Sequence, residues 1–174
     1  MKLAWGEKVS QEFRDEVLRI CREFDWSEDH ASWLMSCIAF ESGESFSPSV
    51  KNAAGSGATG LIQFMPATAR GLGTTTDALA DMEAVEQLEY VQKYFKPYAS
   101  RIHSLPDMYL AILLPKYVGQ PDDTVLFSGG IAYRQNSGLD SNRDGEITKA
   151  EAAGKVAAKL VKGQGLATEE PDFA

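Results

Sequence analysis

The sequence offers few of the residues on which most enzyme chemistry depends. It holds two cysteines and two histidines in 174 residues. Cys21 and Cys37 match no metal-ligand spacing and build no disulfide framework. Both fall on apolar faces of expected helices, where a buried free thiol is the ordinary state. His30 and His103 have no partner at a ligand or triad spacing, and there is no serine-nucleophile motif and no phosphate loop. Positive charge is also scarce: 17 Lys and Arg face 25 Asp and Glu, a formal net charge of −8. That balance disfavours a nucleic-acid or anionic-membrane partner. No segment approaches the roughly 18 apolar residues of a membrane span, and MKLAWGEKVSQEF carries no apolar signal core. We therefore expect no nucleic-acid partner, no membrane insertion, no organic cofactor and a monomer.

What is present is a helical pattern with a real core, since 44% of the residues are hydrophobic. SQEFRDEVLRICREFDW places Phe13, Val17, Ile20, Cys21 and Phe24 at steps of three and four, with Ser10 as N-cap. SEDHASWLMSCIAFES is a second helix, capped by Ser27, with Leu34, Cys37, Ile38 and Glu41 on one stripe. Residues 43–60 read as loop. Pro66 opens a short helix, DMEAVEQLEYVQKYFKPY forms a third strong one, and LPDMYLAILLPKYVG reads as a short, central, apolar helix ending before Pro115. TVLFSGGIAY is open between strand and helix start. ITKAEAAGKVAAKLVKG is a final helix, and residues 166–174 read as a loosely held tail. The fold class is mainly α, one domain over residues 1–165, with minor strand content.

The chemistry concentrates in AFESGESFSPSVKNAAGSGATGLIQFMP, residues 39–66. Glu41 sits in the last turn of a helix, on the face of Cys37 and Ile38. Desolvation, the negative helix end and the nearby Glu44 would all raise its pKa, which suits a general acid on a glycosidic oxygen. An isolated glutamate there would ordinarily be a solvated helix end. The loop that follows argues otherwise, because NAAGSGATG has almost no side-chain bulk and lets backbone approach a ligand. Gln63, between apolar neighbours, can both donate and accept, as sugar hydroxyl and acetamido groups require.

A second constellation stands in DSNRDGEITKAE, residues 140–151. Asp140, Asn142 and Asp144 occupy positions one, three and five of a calcium loop. Gly145 is at six, Glu146 at seven (through its carbonyl), Thr148 at nine (through water) and Glu151 at twelve as the bidentate ligand. No clean incoming helix precedes it, so we expect a single, unpaired EF-hand-type loop holding a structural Ca2+ before the last helix.

ES…F.P followed by GSGATGLIQFMPATA resembles the signature of the soluble lytic transglycosylase and goose-type lysozyme superfamily. That pattern is Glu-Ser, a small-residue loop, Gly-Leu-Met-Gln, then Met-Pro-x-Thr-Ala. The match covers residues 38–70 and is especially similar to compact muralytic proteins of tailed phages and prophages, endolysin or tail-associated. The resemblance implies a lysozyme-like fold acting on peptidoglycan glycan strands at the MurNAc-β-1,4-GlcNAc bond. It makes Glu41 the catalytic acid/base, oriented by Ser42, and Gly60, Leu61, Ile62 and Gln63 the sugar-facing turn. The family's late Ala-Tyr-Asn is matched by IAYRQN. Tyr133 would thus lie across the cleft near Glu41 or the substrate, and Gln135 or Asn136 would replace the asparagine whose place Arg134 takes. The family's phenylalanine comes three residues after the glutamate. Here Phe46 comes five after Glu41 and two after Glu44, which keeps Glu44 as runner-up acid.

Three functions remain open at this point. A lytic transglycosylase needs one carboxyl group and leaves 1,6-anhydromuramic ends. A hydrolytic muramidase needs a second carboxylate. A non-catalytic, calcium-stabilised wall-binding or tail module needs neither. With no signal read in the sequence, action on periplasmic peptidoglycan calls for delivery by holin, secretion system or phage tail. Trp5, Trp26 and Trp33 are either sugar platforms or helix packing.

Overall fold

A computed structural model describes residues 1–173 of the chain. The elements run β1 (Lys2–Leu3), α1 (Gln11–Glu23), α2 (Glu28–Glu41), α3 (Pro66–Gly71), α4 (Thr76–Ala80), α5 (Ala84–Phe95) and α6 (Leu105–Leu113). They continue with β2 (Val125–Ser128), α7 (Gly130–Gln135), β3 (Glu146–Thr148), α8 (Lys149–Ala152), α9 (Gly154–Gln164) and β4 (Thr168–Glu169). No helix among the described residues is long and apolar enough to cross a membrane.

The helices form where side chains answer the backbone. Ser10 Oγ accepts from Phe13 N at 3.1 Å and caps α1, which buries Phe13, Val17, Leu18, Ile20 and Cys21. At the start of α2 the donor is reversed: His30 Nδ1 accepts the Ser27 N–H at 3.1 Å. His30 Nε2 meets the Ile102 carbonyl at 2.7 Å, and its ring stacks on Trp26. Both ring nitrogens are thereby committed to the fold, and burial lowers the pKa of this histidine.

Helix α2 is the axis of the molecule, with α1, α6, α9 and β1 packed around it. Leu34, Met35, Cys37 and Ile38 have no exposed surface. Each large aliphatic side chain there contributes about 1.5–3 kcal/mol by leaving water. Trp5 is also fully buried, and its Nε1 donates to Lys159 O at 3.0 Å. Its ring fills the space over Gly163, where a Cβ would lie 2.2 Å from the indole nitrogen. Trp5 and Trp26 are therefore packing residues, and Trp33 is half-buried against His30. Cys21 and Cys37 are buried free thiols, and burial raises both pKa values.

Three differences from the sequence reading stand out. The final helix is two, α8 and α9, joined at Ala153. TVLFSGGIAY resolves into strand β2 followed by α7, and β2 pairs antiparallel with β3. The tail is not loose over residues 166–173, and residue 174 lies outside the described residues. Lys2 pairs with Glu169 and Leu3 with Thr168, Glu170 N donates to Met1 O at 2.8 Å, and buried Glu170 meets Arg14 at 2.9 Å. Phe173 N donates to Glu28 at 3.0 Å. The tail reads as loosely held in the sequence because strand pairing between distant segments leaves no local pattern.

Candidate active site

Glu41 ends α2, one turn past the fully buried Cys37. Its carboxyl group has no hydrogen-bond or ion-pair partner among the described residues, and burial pushes its pKa up to about 7. Desolvation alone does this, by penalising the charged form. Glu44 contributes nothing, contrary to the sequence reading.

Glu44 lies elsewhere electrostatically. Its left-handed backbone, φ +67°, turns the chain away from α2. Its carboxylate pairs with Lys159 and with Lys162 of α9, the latter at 2.7 Å. The two ammonium groups hold its pKa down at about 2. A carboxylate that stays ionised in this way cannot serve as general acid at neutral pH, so Glu44 does not suit the role of runner-up acid.

The tyrosine beside Glu41 is not the expected one. Tyr133, on α7, donates its hydroxyl to Asp140 Oδ2 at 2.5 Å and so belongs to the acidic loop. Two tyrosines have pKa values raised by burial and also by the charge of Glu41: Tyr94 of α5, whose hydroxyl donates to Ala111 O at 2.6 Å, and Tyr109 of α6. Tyr109 meets Phe40 edge-on at 5.6 Å between ring centroids, and its hydroxyl has no protein partner among the described residues. The sequence carried one signal for it: a lone hydroxyl inside the otherwise apolar run MYLAILL.

Ser42 also does something different from orienting the acid. It is buried, and its Oγ accepts from Phe46 N at 3.0 Å, which folds the turn after α2. In the GLIQ turn, Leu61 and Ile62 are buried and cannot face a sugar. Gly60, at φ +85°, is required by close approach: a Cβ there would lie 2.4 Å from Gln87 Oε1 and 2.8 Å from Pro48 O. Gln63 remains half-exposed, while its Nε2 donates to Val50 O and Gly60 O, each at 3.1 Å. Its oxygen is the atom left for a ligand.

Gln87 of α5 organises this turn and was missed from the sequence. It has no exposed surface. Its Oε1 accepts from Leu61 N at 2.8 Å, and its Nε2 donates to Pro48 O and Leu79 O, each at 2.9 Å. One amide thus satisfies two backbone groups of a loop that has little side chain of its own and ties them to Leu79 O of α4.

Beside Phe40 and Tyr109 opens a shallow pocket of about 240 Å³, lined also by Gln135, Asn136, Leu139 and Lys155. This places Gln135 and Asn136, but not Tyr133, in one pocket with Phe40, the residue before Glu41.

Residues 140–151 fold as a turn followed by β3 and the start of α8. Oxygens of Asp140, Asp144 and Glu151 lie within 4.8 Å of one another. Gly145 has φ +88°, and the backbone N–H groups of Asp144 and Gly145 point at Asp140. Glu151 accepts from Ser141 N at 2.9 Å and Thr148 N at 3.2 Å. Hard oxygen donors gathered around one point suit Ca2+. Asn142 and Glu146 are exposed at the loop rim. Strand β3, within residues 140–151, pairs with β2.

Compared with known proteins, residues 25–111 match the family model described as the Transglycosylase SLT domain, half of the chain. No curated protein matches.

Proposed function

We propose a mechanism from one premise: the chain belongs to the transglycosylase SLT family, whose members cleave peptidoglycan. In this reading it is a lytic transglycosylase that cuts the MurNAc-β-1,4-GlcNAc bond with Glu41 alone. The observation that carries it is the contrast between two carboxyl groups three residues apart. Glu41 is desolvated, unpaired and raised to about 7, whereas Glu44 is held at about 2 between two lysines.

Protonated Glu41 gives its proton to the glycosidic oxygen as the muramyl C1–O bond breaks, and the GlcNAc O4 leaves as a hydroxyl. The resulting carboxylate then takes the proton of the muramyl C6 hydroxyl while O6 bonds to C1. The ring closes as a 1,6-anhydro sugar and Glu41 is protonated again. Tyr109, rather than Tyr133, presents a hydroxyl beside this reaction. Gln63 Oε1, Gln135 and Asn136 hold the strand. A muramidase would need a second carboxylate near the bond. Glu44 is occupied by lysines, and Asp140 and Asp144 face the loop, so neither meets that need.

The test is mass spectrometry of soluble products from purified peptidoglycan. We expect ends in 1,6-anhydromuramic acid. Reducing muramic acid ends would overturn the transglycosylase in favour of the muramidase, and no product under any condition would favour the non-catalytic wall-binding module.

Asp140, Asn142, Asp144, Glu151 and the carbonyl of Glu146 would hold Ca2+, whose charge would offset the repulsion among the three gathered carboxylates. Tyr133 would then brace Asp140 and, through it, the α7 segment carrying Gln135 and Asn136. Calcium at about one hundred times its dissociation constant should stabilise the fold by about 2.7 kcal/mol. Thermal unfolding with calcium and with chelator checks this. The melting temperature should rise for wild type and stay fixed for Glu151→Gln; an equal rise in both would refute the site.

A further inference from the structure

We infer that Lys155 recognises a carboxylate carried on the lactyl arm of muramic acid, and that it thereby selects muramyl strands over uncharged glycans. The inference deepens the proposed function and rests on peptidoglycan being bound beside Glu41.

The pocket against Phe40 and Tyr109 is lined by one cation, Lys155. Its neighbours on α9 are already engaged, because Lys159 and Lys162 both pair with Glu44. Lys155 is exposed and has no ion-pair or hydrogen-bond partner among the described residues. The natural candidate, Glu151 four residues earlier on the same face, turns its carboxylate into the loop instead. Lys155 Nζ lies over Gly138, 3.7 Å from where a Cβ would be.

In a protein of net charge −8, a lysine without a partner among the described residues, in a pocket that touches both Phe40 and Tyr109, stands out against the general field. The pocket, about 240 Å³, has room for a side arm rather than a sugar ring strand. Its remaining polar groups, the amides of Gln135 and Asn136, suit the amide and acid of a lactyl-peptide junction. Muramic acid differs from glucosamine by this arm, which ends in its own carboxylate or in an amide leading to the acids of the stem peptide.

The experiment measures steady-state release from native peptide-bearing strands and from strands stripped of peptide by an amidase. Lys155→Ala should raise KM about tenfold, the worth of one charge-assisted hydrogen bond, with kcat within about twofold. Lys155→Arg should restore KM. A KM penalty kept on stripped strands assigns the contact to the lactyl carboxylate, and a penalty that vanishes there assigns it to the stem peptide. Unchanged KM on both substrates overturns the inference. Pelleting of Glu41→Gln protein with the same strands, with and without Lys155→Ala, reads the contact without turnover. A missing carboxylate contact is thereby told apart from a failure of the catalytic reading.

Discussion

Glu41→Gln should abolish release of soluble product and, above pH 7, make the protein more stable. The first effect is a loss of at least about 10²–10⁴-fold, the usual worth of a positioned general acid. The second follows from the same burial. Glu41 has its ordinary pKa of 4.5 when unfolded and about 7 when folded, so the folded chain holds its proton more tightly. Folding is therefore favoured by acid at this group. That advantage is complete below pH 4.5, declines as pH rises toward 7, and is gone above it. A shift of this size is worth up to about 3 kcal/mol, or several degrees of melting temperature in a chain of this length. Glutamine carries no charge at any pH, so the variant should melt above wild type at pH 8 and level with it at pH 4. Wild-type turnover should in turn fall as pH rises through about 7, because the acid arrives deprotonated. Product release by a folded Glu41→Gln protein would refute the assignment outright.

Lys149→Ala should cost about 3–5 kcal/mol, the largest loss of stability expected from one polar side chain here. Lys149 is almost wholly buried and reaches Asp107 Oδ1 at 2.5 Å, Gln120 O at 2.8 Å and Tyr117 O at 3.1 Å. Removing it leaves a buried carboxylate and two carbonyls without that donor. Burial raises the pKa of Asp107, but the lysine and the N–H groups of His103 and Gly119 outweigh it and set the carboxyl below the usual aspartate range. The stabilisation is therefore present above the unfolded pKa of this group and fades as acid protonates Asp107. The deficit of Lys149→Ala should shrink in the same acid range. Replacing both partners, Lys149→Met with Asp107→Leu, should restore much of the loss, since no charge is left unpaired. Urea unfolding of wild type and the two variants from pH 7 down to pH 3 checks both statements. A Lys149→Ala protein as stable as wild type at pH 7 would show that the pair contributes nothing.

The sequence shows where its chemistry lies better than it shows which side chains supply it. Helix α1, with its Ser10 cap, and helix α2, ending at Glu41, are local features, and period and capping residues reveal them. The gathering of Asp140, Asp144 and Glu151 is equally local, within twelve consecutive positions with a glycine at the turn. The roles of Tyr109 and Gln87 are not local. Each is fixed by what another element brings to it: Glu41 across from α6, and the loop of Pro48 and Leu61 across from α5. Tyr133 was misplaced for the same reason, since nothing in IAYRQN tells whether its hydroxyl meets an acid of the cleft or Asp140 seven residues on. Glu44 lost its candidacy to two lysines more than a hundred residues away, a pairing invisible in any window of sequence.

The pairing of β1 with β4 has a mechanical consequence. The two strands run antiparallel and meet at their outer ends, Lys2 opposite Glu169. Tension applied to the two ends of the domain therefore loads these bonds one after another, like the teeth of a zipper, instead of shearing them together. Once they part, Trp5 is drawn from under Gly163 and Arg14 from Glu170, and α9 loses its hold on the start of the chain. Under pulling, the molecule should yield first at its clasp.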